Sequence, residues 1–176
     1  MSDAERTTAA PSAPLTVHYA KEKGEGIVYG GILIAGVLLL HAITRAPTIA
    51  TLGALIVLYG ALYHWPYVRR DRRAIEISPS GLTLDRLGLL PWNAIAGTEI
   101  VDRYLRTIRN SELRIELRRS IETAVENPVQ VHPLRRLMYR CWRLTGPQQI
   151  TVKLNTLDAK PEVIQAAIGQ YTGRTH

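Results

Sequence analysis

The chain is poor in the residue patterns from which catalytic and metal sites are built. It has 176 residues and one cysteine, Cys141, so it cannot form an internal disulfide, and no oxidising compartment is indicated. No glycine-rich phosphate loop follows a predicted strand, and no carboxylate pair recurs at a spacing suited to acid–base or metal chemistry. The five histidines are dispersed along the chain. We therefore expect no enzyme activity, no metal and no cofactor.

Charge is missing from two long stretches near the N-terminus. Residues 27–44 and 48–68 contain no Asp, Glu, Lys or Arg, and a short break separates them. As helices these stretches would be about 27 to 32 Å long, close to the roughly 30 Å hydrocarbon thickness of a bilayer. The alternative is a buried helix pair in a soluble core, but a core helix usually keeps a polar face and neither stretch has one. The pattern predicts a transmembrane hairpin over residues 25–68.

Small residues predict how the two helices of this hairpin pack. Gly31 and Ala35 are four residues apart in the first stretch, and Ala50 and Ala54 are four apart in the second. Residues at this spacing share one helix face, and small side chains there let two backbones approach closely in lipid. We therefore expect these two faces to meet.

The segments that flank the hairpin differ in charge. Residues 1–24 are predicted to be a disordered tail, because residues 1–18 are rich in Ala, Ser, Thr and Pro without any periodicity. Four arginines directly follow the second stretch: Arg69, Arg70, Arg72 and Arg73. Basic residues next to a membrane span are kept in the cytoplasm, so both termini are predicted to be cytoplasmic. An alternative is that these arginines form a solvated face without a binding role.

The net charge has to be interpreted together with the hairpin. The formal charge is +7. Such a basic balance can indicate nucleic acid, an anionic membrane surface or only membrane topology. Because a membrane hairpin is predicted, we expect the membrane itself to be a partner and expect no nucleic acid.

From residue 74 onwards the hydrophobic period changes to two, which is typical of strands. The predicted strands cover residues 74–78, 82–87, 97–104, 112–118 and 149–154. A helix is predicted from Pro161, and its apolar face contains Val163, Ile164, Ala167, Ile168 and Tyr171. Strands closed by one amphipathic helix predict an α+β domain over residues 69–176.

Two short motifs accompany this order of elements. Residues 75–82 have the pattern Ile-x-Ile-Ser-x-x-Gly-Leu, and residues 91–95 have Pro-Trp-x-x-Ile. With two apolar helices and a basic exit, the chain resembles the small bacterial membrane-anchored proteins with a PH-like domain, over residues 27–173. The resemblance implies a bent antiparallel sheet, a split barrel, capped by a C-terminal helix on the cytoplasmic face of the inner membrane. It also implies that Gly81 permits a turn and that Trp92 and Ile95 fill the core.

The stretch over residues 120–147 is longer than this resemblance requires and contains a basic insert at residues 134–144. At helical spacing, one side of the insert is apolar and contains Leu134, Leu137, Met138, Cys141 and Leu144. The other side contains Arg135, Arg136, Arg140 and Arg143. Such a helix lies either in the headgroup region or on an open part of the sheet, and both interpretations stay open. The apolar position of Cys141 favours a buried, inert thiol over a nucleophile.

The sequence predicts a binding module without naming its ligand. The first hypothesis is that the PH-like module recruits or regulates a membrane-associated protein partner. The second is direct binding of anionic lipid headgroups by the arginines at positions 69, 70, 72, 73, 135, 136, 140 and 143. An enzyme is a third and minor hypothesis. An exposed apolar groove beside the sheet would favour a protein, whereas a bare basic face would favour lipid.

Overall fold

The computed structural model of the chain describes residues 13–44, 47–69, 72–105 and 108–172. Predictions about residues 1–12 and about Arg70 therefore lie outside the described residues. The described α-helices are α1 Lys21–Thr44, α2 Pro47–Tyr63, α3 Ile121–Ala124, α4 Pro133–Arg136 and α5 Pro161–Thr172. The described strands are β1 Leu15–His18, β2 Arg73–Ser78, β3 Gly81–Leu84, β4 Gly88–Pro91, β5 Ile95–Leu105, β6 Ile108–Leu117, β7 Trp142–Gly146 and β8 Gln149–Lys153. The predicted α+β class is confirmed.

The two N-terminal helices pack against each other through small residues. Ala35 of α1 and Ala54 of α2 are almost completely buried, and Ala50 is buried as well. A side chain added to Gly31 would place its Cβ 3.2 Å from the Cβ of Ala61. The predicted contact through small residues is confirmed, because larger side chains would hold the two backbones apart.

The two apolar helices differ in length. Among the described helices, only α1 is long and apolar enough to cross a membrane, judged by length and composition. The second predicted stretch does not stay helical to residue 68: α2 ends at Tyr63, and a 3₁₀ turn follows at Trp65–Tyr67. Pro66 explains this difference, because a proline ring clashes with the carbonyl four residues before it in an α-helix. Large apolar side chains such as Leu33 and Ile43 remain exposed around the hairpin.

The first sheet has the strand order β1-β2-β3-β4, and all its pairs are antiparallel. β1 was not predicted. The prediction of a disordered tail through residue 24 is wrong from residue 15 onwards. Leu15 lies opposite Ile77 of β2, and Val17 is 1% exposed. A four-residue strand is too short to produce a recognisable period, and its partner lies about 60 residues further along the chain.

Two turns shape the strands of this first sheet. Between β2 and β3, Gly81 has a φ of 151°, and an added Cβ would lie 2.3 Å from the carbonyl oxygen of Leu90. The predicted role of Gly81 is therefore confirmed, because only glycine fits there. After β3, the strand predicted to reach residue 87 instead turns at Asp85, and Arg86 adopts a φ of 64°.

The second sheet has the strand order β5-β6-β8-β7 and is also antiparallel. The alternation predicted for β6 is confirmed, because Leu113, Ile115 and Leu117 are all buried. The helix predicted over residues 134–144 is wrong. Its first part is the single turn α4, and its last part is β7, in which Leu144 lies opposite Ile150 of β8. The edge of β8 offers the backbone of residues 142–146 ladder hydrogen bonds, whereas a short isolated helix is only marginally stable.

One hydrophobic core lies between the two sheets and α5. Ile75 and Leu84 from the first sheet, Ile115 from the second and Ile164 from α5 are at most 1% exposed. Val163 is an exception to the predicted helix face, because it is 48% exposed. The described strands form two separate sheets and do not close a barrel.

Trp92 lies at the edge of this core and is only half-buried. Its ring stacks on Tyr171 of α5, with 5.6 Å between the ring centroids, and its indole nitrogen donates to the Ser78 carbonyl at 3.0 Å. Ile95 is 5% exposed and belongs to the core. The predicted packing role is thus confirmed for Ile95, whereas Trp92 links α5 to the first sheet.

Candidate anion-binding surface

The turn after β3 places an ion pair inside the protein. The side chains of Asp85 and Arg86 are 8% and 5% exposed. Asp85 Oδ2 accepts hydrogen bonds from the Tyr19 hydroxyl at 3.1 Å and from Arg86 Nε at 3.2 Å. Arg135 Nη2 lies 3.6 Å from Asp85 Oδ1. A buried carboxylate has to be paired, and here three side chains share that task.

Arg86 determines the path of the insert after α4. Its guanidinium donates to the carbonyl oxygens of Arg135 and Tyr139 and, at 3.0 Å, to that of Met138. These carbonyls follow or end the helical turn, so Arg86 satisfies acceptors that a helix end leaves unpaired. We missed this pair at the sequence level because positions 85 and 86 continue an alternating strand pattern. The available signal was Asp85 three residues before Gly88, which is a typical turn composition.

The insert also contacts the end of α2. The backbone nitrogen of Tyr139 donates to the Tyr63 carbonyl at 2.8 Å. The Tyr139 ring lies 5.1 Å from the ring of Tyr67, measured between centroids. On the same segment, Leu134 and Leu137 are 65% and 58% exposed. The insert is therefore joined to the end of α2 through Tyr139 and also carries exposed apolar side chains.

Beside this segment lies a cavity of ≈ 640 Å³ that we name the basic pocket. Its lining residues are Arg86, Pro128, Val129, Gln130, Val131, Arg136, Arg140 and Trp142. None of them is acidic. The Arg140 guanidinium carbon lies 4.5 Å above the centre of the Trp142 ring, which fixes its orientation through a cation–π contact. Arg86 is already paired with Asp85, whereas Arg136 and Arg140 have no carboxylate among the lining residues and are suited to bind a phosphate or carboxylate ligand.

The structure divides the predicted binding arginines into separate groups. Arg136 and Arg140 line the basic pocket, whereas Arg72 and Arg135 lie close to Asp85. Arg69 is exposed and lines a different cavity near the start of α1.

The other two described arginines of the predicted set belong to surface ion pairs. Arg73 Nη1 lies 2.8 Å from a carboxylate oxygen of Glu76, and Arg143 Nη2 lies 3.3 Å from one of Glu112. The insert arginines thus do not share one helix face, because Arg143 belongs to β7 of the second sheet and pairs with Glu112 there.

An apolar groove lies between β1 and α5, in a cavity of ≈ 520 Å³. Its lining residues are Ala13, Leu15, Glu162, Val163, Ala166, Ala167, Gln170 and Tyr171. Val163 contributes the large exposed apolar side chain on this surface. The groove matches the exposed apolar surface expected for a protein partner.

The remaining candidates for chemistry are unreactive or too far apart. Cys141 is 1% exposed, and burial raises the pKa of its thiol to about 12, so the thiol stays protonated near neutral pH. The predicted buried, inert cysteine is confirmed. Within the four described ranges, no three His, Cys, Asp or Glu side chains come close enough to hold a metal ion.

No protein-family model matches the chain, and no curated protein or solved structure is significantly similar to it. The PH-like resemblance of the sequence therefore stays a prediction.

Proposed function

We propose that the chain is a two-span protein of the bacterial inner membrane that binds anionic lipid headgroups through a PH-like module on the cytoplasmic face. The observation that carries this proposal is the basic pocket. Arg136 and Arg140 line it without any carboxylate, and its segment is hydrogen-bonded to the end of α2 at Tyr63.

The pairing of β1 with β2 supports two spans. β1 precedes α1 and β2 follows α2, yet the two strands are hydrogen-bonded neighbours in one sheet. Segments that pair must lie on the same side of a membrane, so a chain that crosses along α1 has to return along α2. The 17 residues of α2 are about 26 Å long, and Trp65 and Tyr67 follow at the depth where aromatic residues favour the interface.

Charge supports the cytoplasmic orientation. Arg69, Arg72 and Arg73 directly follow the aromatic turn, and basic residues at a membrane exit are retained in the cytoplasm. Two antiparallel sheets capped by α5, together with the turn at Gly81, agree with the PH-like resemblance. In this arrangement both termini of the chain are cytoplasmic.

The position of the insert supports lipid as the ligand. Leu134 and Leu137 are exposed on the segment that Tyr139 joins to the end of α2, and in this proposal they enter the boundary between headgroups and acyl chains. Arg136 and Arg140 of the same segment would then lie at headgroup depth. Each arginine near an anionic leaflet contributes about 1 kcal/mol, so the two together contribute about 2 kcal/mol.

Lipid retention tests the proposal directly. The full chain is purified in mild detergent from membranes that contain anionic and zwitterionic lipids, and the retained lipids are quantified by mass spectrometry. We expect the native chain to enrich anionic lipid and the Arg136→Gln/Arg140→Gln variant to retain less of it. The loss of about 2 kcal/mol corresponds to about 20- to 30-fold weaker binding. Added salt is expected to weaken the enrichment, since exposed charges are screened within about 8 Å at physiological ionic strength.

The matched control replaces two arginines that are already paired at the surface. Arg73→Gln/Arg143→Gln removes the same charge but leaves the basic pocket unchanged, so enrichment should persist. Equal enrichment in the two double variants would contradict lipid binding by the basic pocket. The second candidate function, recruitment of a protein partner, would then be favoured by the apolar groove around Val163 and Ala167.

A further inference from the structure

Two arginines pair with one carboxylate near the point where the hairpin joins the sheet domain, and the charge of a third arginine interacts with theirs. Arg86 and Arg135 both lie within ion-pair distance of Asp85. Arg72 lies close enough to be influenced by the charges of Arg135, Asp85, Arg69 and Arg86. We name Arg72, Asp85, Arg86 and Arg135 the junction cluster. It carries three guanidinium groups against one carboxylate, which is an excess of two positive charges.

Two donor atoms of the junction cluster are buried without an acceptor among the described residues. These atoms are Arg72 Nη1 and Arg135 Nε. Neither atom is hydrogen-bonded to Asp85, whose Oδ2 accepts from Tyr19 and Arg86 and whose Oδ1 lies 3.6 Å from Arg135 Nη2. An unpaired buried donor destabilises the folded state, and a charged one does so more strongly.

The electrostatics of Arg72 agree with a missing counter-charge. Burial lowers the pKa of its guanidinium, and the nearby charge of Arg135 lowers that pKa further. Asp85 acts in the opposite direction but does not cancel these effects. By contrast, the neighbouring Arg73 is 64% exposed and paired with Glu76.

We propose that Arg72 and Arg135 bind one phosphate-type oxyanion, supplied by the phosphodiester of an anionic phospholipid. A phosphate group offers several oxygen acceptors to the two unpaired donors, and a guanidinium binds such oxygens in a bidentate manner. Arg72 stands five residues after the aromatic turn Trp65–Tyr67, so it lies near headgroup depth in the two-span arrangement. The phospholipid source therefore rests on the proposed function, whereas the oxyanion chemistry rests on the junction cluster alone.

Thermal unfolding of the full chain in an uncharged detergent, after removal of lipid, tests this site. Melting is measured alone, with inorganic phosphate, with short-chain phosphatidylglycerol and with short-chain phosphatidylcholine. Ligands that bind only the folded state raise the melting temperature. We expect phosphatidylglycerol to act at a concentration about tenfold or more below phosphatidylcholine, because the choline cation meets a site with excess positive charge. A native chain whose melting responds to no added anion would overturn the proposal.

Arg72→Met isolates the site, because it keeps an unbranched apolar stem and removes the unpaired donor. Without added anion, we expect this variant to melt at the same temperature as the native chain or at a higher one. It should also lose most of the rise caused by phosphatidylglycerol and phosphate. The matched control Arg73→Met removes an exposed, paired arginine and should keep that rise. If Arg72→Met instead lowered melting equally in all four solutions, Arg72 would be purely structural and the proposal wrong.

Two further outcomes separate the sources of the anion and the two binding sites. A rise with inorganic phosphate but not with phosphatidylglycerol would overturn the phospholipid source. Arg136→Gln/Arg140→Gln leaves Arg72 and Arg135 in place, so its melting should still respond to anions. If lipid enrichment did not depend on the basic pocket, the rise in melting temperature that depends on Arg72 would still be expected. If that rise were absent, the proposal for the basic pocket would not be affected.

Discussion

The core of the sheet domain and the Asp85–Arg86 pair of the junction cluster are both buried, but they are built on opposite principles. In the core, residues such as Ile75, Ile115 and Ile164 are fully buried and carry no polar side-chain atoms. In the junction cluster, Asp85 and Arg86 are nearly as buried, and directed hydrogen bonds hold them. Apolar burial is roughly proportional to area and does not depend on direction, whereas a buried ion pair depends on the position of each partner.

The core and the junction cluster therefore contribute differently: the core mainly stabilises the fold, and the junction cluster mainly arranges its parts. Burying one large aliphatic side chain stabilises the fold by about 1.5 to 3 kcal/mol, so the core supplies most of the stability. A buried ion pair returns little net stability after desolvation, but removing one partner is costly. Arg86 holds the backbone of the insert, and Tyr139 of the insert contacts the end of α2. We therefore expect the junction cluster to determine how the hairpin sits on the domain.

The largest expected effect comes from the segment that belongs to both regions. Val17 of β1 is part of the core, and Tyr19 donates to Asp85. Deleting residues 1–19 should lower the free energy of unfolding by about 3 to 6 kcal/mol, because two large buried side chains are lost. Chemical denaturation of the detergent-solubilised chain measures this loss. Deleting residues 1–12 removes no described contact and serves as the control. Similar unfolding curves for the two deletions would show that β1 contributes nothing.

A smaller effect is expected when only the junction cluster is broken. Asp85→Asn keeps the size of the side chain but leaves Arg86 and Arg135 without their counter-charge. We expect a loss of about 3 to 5 kcal/mol, the cost of an uncompensated buried charge. Asp102→Asn is the matched control, because Asp102 pairs with Arg109 at the surface. If the denaturation curves of the two variants shifted equally, removal of the Asp85 charge would cost no more than removal of a surface charge.

The smallest effect is expected at the edge of the core. Trp92→Ala removes the stacking on Tyr171 and the hydrogen bond to Ser78. We expect a loss of about 2 to 3 kcal/mol, below the roughly 3 to 5 kcal/mol of a fully buried tryptophan, because Trp92 is half-buried. Trp92→Phe keeps a stacking ring and should lose only about 1 kcal/mol for the hydrogen bond. Thermal melting of both variants measures the difference, and a Phe variant as damaged as the Ala variant would exclude stacking as the main contact.

The regular elements were predictable wherever one period was unambiguous. β6 alternates strictly over Leu113, Ile115 and Leu117, and all three are buried as predicted. In the insert, apolar residues such as Leu137, Cys141 and Leu144 fit a helix, but only four residues form one. Backbone pairing with β8, which follows β7 after only two residues, decided the conformation of β7.

The sequence by itself determined the apolar helices, the α+β class and the basic character of the insert, because hydrophobic period and charge act through local spacing. Only the tertiary structure decided that residues 15–18 form a strand, that Arg143 pairs with Glu112, and that Asp85 gathers arginines from three segments. Strand pairing and buried ion pairs join residues far apart in the chain, and their energies depend on distance and desolvation. Neither quantity is contained in the local pattern of one segment, so both follow from the fold as a whole.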